Sequence, residues 1–143
     1  MTNSLYGPGA QGLLTGAIDV DTAVIKCAFV RGYTHSSAHQ FVSDVTGAGG
    51  TLNGTSAAIA NVSVSATGVV DGDDTTITTT ASAVNHVLIL FQASAVTGGA
   101  DVAASSQRLI AHFDTGTGLP IQPGTGVTPV TWDSGANKIF KVG

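Results

Sequence analysis

Alternating apolar and polar positions and short apolar runs, rather than a three-to-four spacing, organise this chain. Residues 23–31 put Ile25, Cys27 and Phe29 on one side of an extended segment, and Val24, Ala28 and Val30, with Lys26, on the other. A short segment that is apolar on both sides predicts a central strand. Residues 84–93 form the most apolar strand, and residues 107–114 another. Residues 75–80 predict a Thr-rich strand in which Ile77 is the one large apolar side chain. Residues 57–67 set Ile59, Val62, Val64 and Ala66 against Asn61, Ser63 and Ser65, and the register break near Asn61 predicts a bulge. Residues 18–22 alternate, and residues 51–53 fit a short edge strand. Residues 127–132 and 138–142 predict a hairpin closed by a turn over residues 133–137.

Helical signals are few. Gly7-Pro8-Gly9 reads as a break, followed by one or two helical turns over residues 10–17 with Leu13, Leu14 and Ile18 as the apolar side. Residues 38–45 predict a short helical turn with Phe41 and Val45 inward. About eight closely spaced strands predict an all-β fold, a single-domain sandwich, jelly roll or barrel. Residues 1–16 are expected as an N-terminal arm, packed on its own domain or on a neighbour, beside a β domain of residues 17–143.

Composition sharpens this picture. Of 143 residues, 19 are Thr, 12 Ser and 19 Gly, and there is no Glu. Thr favours strands, and Gly and Ser favour turns, so bundles, coiled coils and doubly wound α/β folds are disfavoured. Hydrophobic residues make up 43% and the net charge is −4, which argues against disorder. Lys26, Arg31, Arg108, Lys138 and Lys141 are scattered, which argues against a nucleic-acid partner or an anionic membrane surface. No apolar run approaches the roughly 20 residues of a membrane span. The start, Met1-Thr2-Asn3-Ser4, has no basic stretch before an apolar one, and Cys27 stands alone. Synthesis in a cytoplasm without export is the expectation, with Cys27 a buried structural thiol. Charged residues are 10% of the chain against roughly 25% in an ordinary domain. A surface of Thr, Ser, Gly and Ala loses little side-chain entropy when buried, and so suits packing in an assembly.

The residues that carry chemistry form no strong constellation. Asp71, Asp73 and Asp74 cluster around Gly72, yet an EF-hand loop requires a terminal Glu, so a carboxylate-capped turn is the plainer reading. Asp19 and Asp21 share a face if extended. His35 and His39 are four apart without a Glu base, and His86 and His112 lie in apolar strands, either packed and hydrogen-bonded separately or facing each other. There is no Gly-x-Ser-x-Gly elbow and no phosphate-cradling loop. Trp132, Phe113 and Phe140 fit core anchors of the last hairpin; Trp132 with Tyr33 is the alternative of a sugar-stacking platform. No enzyme, cofactor or metal is expected.

Several stretches resemble a family of small structural proteins of tailed bacteriophages. They are residues 17–26, residues 39–45, Gly72-Asp73-Asp74 with the Thr-rich strand, and above all residues 109–121 and 131–141. The resemblance runs nearly end to end and is specific in the C-terminal third. It implies a capsid decoration, or cement, protein: a non-enzymatic virion component on the capsid exterior, with the major capsid protein and itself (as a homotrimer) as partners. In that reading Leu5, Tyr6, Leu13 and Leu14 of the arm dock on a capsid subunit or a neighbouring protomer. A tail, neck or head-fibre component and a carbohydrate-binding module are the alternatives.

Overall fold

A computed structural model of the chain describes residues 3–136 and 138–142. Met1, Thr2, Asn137 and Gly143 lie outside these, and with them the tip of the expected arm and the end of the expected turn over residues 133–137. The fold is all-β in character. A five-stranded antiparallel sheet runs in the order β1 (Ser4–Leu5), β8 (Arg108–Phe113), β7 (His86–Ser94), β2 (Val24–Arg31) and β3 (Thr51–Thr55). A three-stranded sheet joins β10 (Phe140–Lys141), β5 (Val69–Asp71) and β4 (Ser63–Val64). A two-stranded ladder joins β6 (Thr75–Thr79) and β9 (Gly126–Val130). Helices α1 (Gly7–Thr15) and α2 (Val42–Gly47) and a 3₁₀ turn at Ala104–Ser106 complete the described elements. Strands β1 and β3 stay unjoined, so the large sheet does not close into a barrel.

The period of two in β2 and β7 divides the core. Ile25, Cys27, Phe29, Leu88 and Leu90 face one cluster, shared with Ile59 of the connection before β4 and with Val70 and Ile77 from the smaller sheets. Val24, Ala28, Val30, Ile89 and Phe91 face the other, shared with Tyr6 and with Val42 and Val45 of α2. The sheet is therefore covered on both faces, which is why β2 and β7 read as apolar on both sides. The register shifts between Leu90 and Phe91, opposite Ala111 and Leu109. Ile110 and Ala111 consequently both belong to the first cluster, as a bulge permits.

Four expectations are corrected. Residues 127–132 and 138–142 do not form a hairpin: β9 pairs with β6, and β10 with β5. The Trp132 N–H donates to Asp74 Oδ1 (2.9 Å), and its indole N–H donates to the Asp73 carbonyl (3.1 Å), which ties this segment to the distant 73–74 turn. Residues 57–67 keep only Ser63–Val64 as strand, because Asn61 adopts a left-handed φ of 54° and donates to Asp73 Oδ2. Residues 18–22 form a turn, closed by Ala23 N–H on the Asp19 carbonyl, although Ile18 and Val20 are still buried. Gly7-Pro8-Gly9 is the first turn of α1 rather than a break. Proline is tolerated there because its missing N–H has no helical partner.

Of the two courses open to the arm, its own domain or a neighbour, the described residues take the first. Residues 3–16 fold onto their own domain. Ser4 pairs with His112 and Leu5 with Ala111, and the Tyr6 N–H donates to the Ile110 carbonyl at 3.0 Å. The outer edge of β8 is thus filled, with Phe41 bridging to Arg108 farther along. Helix α1 lies so close to β8 that a Cβ on Gly9 would sit 2.6 Å from the Leu109 carbonyl oxygen. An apolar segment that satisfies an open sheet edge and buries a tyrosine is more stable docked than free.

Candidate functional site

The four expected contact residues end in different places. Tyr6 is fully buried and Leu5 is half-buried, so neither is presented to a partner. Leu13 is half-buried against the first core cluster. Leu14 is 79% exposed, the largest exposure of any large apolar side chain described. Beside it runs a groove of about 270 Å³, whose lining includes Leu13, Ile18, Val64, Val70 and Val142. Val64 is itself 49% exposed, and Asp19 is the one charged residue of the lining.

A second concavity, a cleft of about 790 Å³, opens between residues 115–121 and residues 128–139. Phe29, Leu88, Phe113 and Ile139 line it together with Trp132, whose ring lies 6.1 Å from that of Phe113 at 52°. Thr115, Thr117, Thr128, Ser134, Asp133 and Lys138 supply its polar atoms. Trp132 belongs with the first core cluster and Tyr33 with the second, on the opposite face of the sheet. The two rings therefore cannot make one platform.

The histidines regroup. His86 is fully buried and satisfied: its Nδ1 lies 2.7 Å from the Val84 carbonyl and its Nε2 3.2 Å from the Asn53 amide nitrogen. It does not face His112. His112 stacks instead on His35, with ring centres 4.1 Å apart and planes at 19°. Tyr6 and Tyr33 meet this pair edge-on, Tyr6 at 5.2 Å from His35 and Tyr33 at 6.0 Å from His112. The Tyr6 hydroxyl lies 3.2 Å from that of Tyr33, which lies 2.6 Å from His39 Nδ1. Burial holds both imidazoles of the pair below the usual histidine range, His112 down to about 4; His35 beside His112, and His39 beside His35, push the same way, and Asp114 opposes both. His112 Nδ1, His35 Nδ1 and Asp114 Oδ1 are buried without a hydrogen-bond partner.

This aromatic–imidazole cluster is not legible from spacing. Its members come from residues 6, 33–39 and 112–114; the β1–β8 pairing brings Tyr6 to His112, and the β2–β7–β8 pairings bring the loop after β2.

The aspartates of the 71–74 turn disperse rather than converge. Asp71 accepts from the Gly72 N–H, Asp73 from the Asn61 side chain and Asp74 from the Trp132 N–H. Among the described residues no three His, Cys, Asp or Glu side chains are placed to hold a metal ion. Exposed Asp19 and Asp21 couple to each other: their hydrogen bond lowers the first carboxyl and raises the second. Cys27 is buried beside Ser56, and burial pushes its thiol up to about 11. No helix among the described residues is long and apolar enough to cross a membrane. Comparison of the chain with protein-family models, curated proteins and solved structures gives no match.

Proposed function

We propose that this chain is a non-enzymatic virion structural protein that binds the outer surface of an assembled phage capsid and stabilises it. The observation that carries the reading is the apolar groove beside Leu14, on a molecule with few charges to oppose contact. Burying a leucine side chain contributes about 2 kcal/mol per copy, and many copies on one shell multiply that small gain. A protein that binds only the assembled state stabilises that state by mass action. In this reading the two smaller sheets are the second layer of a sandwich, the copies gather as homotrimers on the major capsid protein, and the exposed end of α1 replaces the flexible arm as the contact.

The test is Leu14→Asp, mixed with expanded empty shells of the source particle. Leu14 makes little contact at home, so the variant keeps its thermal stability while losing at least tenfold in shell occupancy. Full occupancy by the variant refutes the contact. A stoichiometry of a few copies per particle, rather than hundreds, points instead to a tail, neck or head-fibre component.

The cleft favours a second reading, a carbohydrate-binding module. An aromatic wall with hydroxyl and carboxylate groups at its rim matches the apolar face and hydroxyl edge of a neutral sugar. Glycan-array binding that disappears in Trp132→Ala supports it; an array without signal removes it.

A further inference from the structure

The stacked imidazoles occupy a place where charge is badly tolerated, and the N-terminal segment is built onto them. His112 is 1% exposed, and His35 lies over it in the near-parallel arrangement that suits two neutral rings. The groups facing the pair come from four elements. The N-terminal segment brings Tyr6, and the loop after β2 brings Tyr33 and His39. The end of β8 brings Asp114, and α2 brings Asp44 beside Tyr33 and His39. Asp44 is already engaged, accepting from the Gln40 and Phe41 N–H groups at 2.8 and 2.9 Å. Asp114 is 6% exposed, and its Oδ1 has no hydrogen-bond partner, so it favours a first proton on the pair. A second proton meets no free carboxylate among these groups. It would put two like charges about 4.1 Å apart, one on buried His112 and one on half-buried His35, next to His39.

We propose that the His35–His112 pair is an acid-operated latch on residues 3–16. Neutral, the pair seats the Tyr6 ring and so holds β1 in register on β8. Charged, it expels that ring, and the segment leaves the sheet edge. Asn3 joins the same latch from the other side, because its Oδ1 accepts from the Asp114 and Thr115 N–H groups at 3.0 and 3.1 Å. The segment that opens is local: β2 and β7, paired along their whole length, are not part of it.

Amide hydrogen exchange between pH 7.5 and 4.5, corrected for intrinsic rates, tests the proposal on the full chain. Protection of the Tyr6 amide and of the first amides bonded within α1 is expected to fall at least tenfold toward pH 4.5, while β2 and β7 stay protected. The double variant His35→Phe/His112→Phe keeps two stacked rings without a titrating group, and its segment should change less than threefold over the same range. His112→Gln, which removes the more buried imidazole alone, should show a smaller fall than the native chain. Native protection that is flat with pH overturns the latch, as does loss in step with β2 and β7, which is global unfolding. An unaltered fall in whichever variant folds overturns it equally.

Discussion

Replacing Gly9 with alanine tests whether the N-terminal helix is fixed on the sheet. In a solvent-exposed helix the change gains about 1 kcal/mol, because alanine loses less backbone freedom. Here the new Cβ meets the Leu109 carbonyl oxygen at 2.6 Å, the Ile110 carbonyl oxygen at 2.9 Å and the Ile110 Cα at 3.1 Å. All three belong to the backbone of β8, so no side chain can swing aside. Restoring an ordinary 3.4 Å contact requires α1 to retreat by about 0.8 Å. That retreat lengthens the 3.0 Å Tyr6–Ile110 bond and loosens a fully buried tyrosine. Overpacking of this kind costs about 1–3 kcal/mol, which cancels or outweighs the gain, so a net loss of up to about 2 kcal/mol is expected. Gly47→Ala is the internal control: it lies at the end of α2, nothing lies within 4 Å of its new Cβ, and it should be neutral or stabilising. Urea denaturation of the two variants beside the native chain reads both signs. A Gly9→Ala protein stabilised by the full helical gain of about 1 kcal/mol would show that the segment is not packed as described.

Other outcomes follow from single contacts. His112 titrates near 6.5 unfolded and about 4 folded, so the unfolded chain binds more protons between those values. Its contribution is complete above about pH 6.5 and is lost as pH falls toward 4, up to about 3 kcal/mol, and the slope of stability against pH should flatten in His112→Gln. Asn53→Ala removes the amide that bonds His86 Nε2 and both backbone groups of Thr80, and should cost about 1–3 kcal/mol by equilibrium unfolding. Cys27, fully buried and raised to about 11, should resist thiol reagents at pH 8 in the folded protein and react at once in denaturant.

The three central strands of the large sheet, β8, β7 and β2, were legible because burial on both faces leaves a near-continuous apolar run, as in 24–31 and 86–94. Strand partners were not. Two extended segments close in sequence suggest a hairpin, but the chain pairs Val130 with Thr75 and Phe140 with Val70, choices made by packing across the core. Asn61 showed in the alternation as a slip of one residue, though its left-handed backbone ends the strand rather than bulging it. The histidine spacing misled for a related reason. His35 and His39 are neighbours in sequence, whereas the ring that stacks on His35 comes from a strand 77 positions on, and only sheet topology puts it there.

The pairing of Ser4 with His112 also sets an order on folding. Strand β1 is made well before its partner β8, and no other strand of the large sheet hydrogen-bonds to it. During synthesis this segment waits, apolar and unpaired, until β2, β3 and β7 have followed it and β8 is complete. Its docking is thus a closing event, performed on a sheet whose β2–β7 centre already exists, and such long-range closure is slow. A chain stalled before β8 would carry its exposed Leu5 and Tyr6 into solution. The step at which it is most prone to stick to its own kind therefore comes just before the edge is sealed.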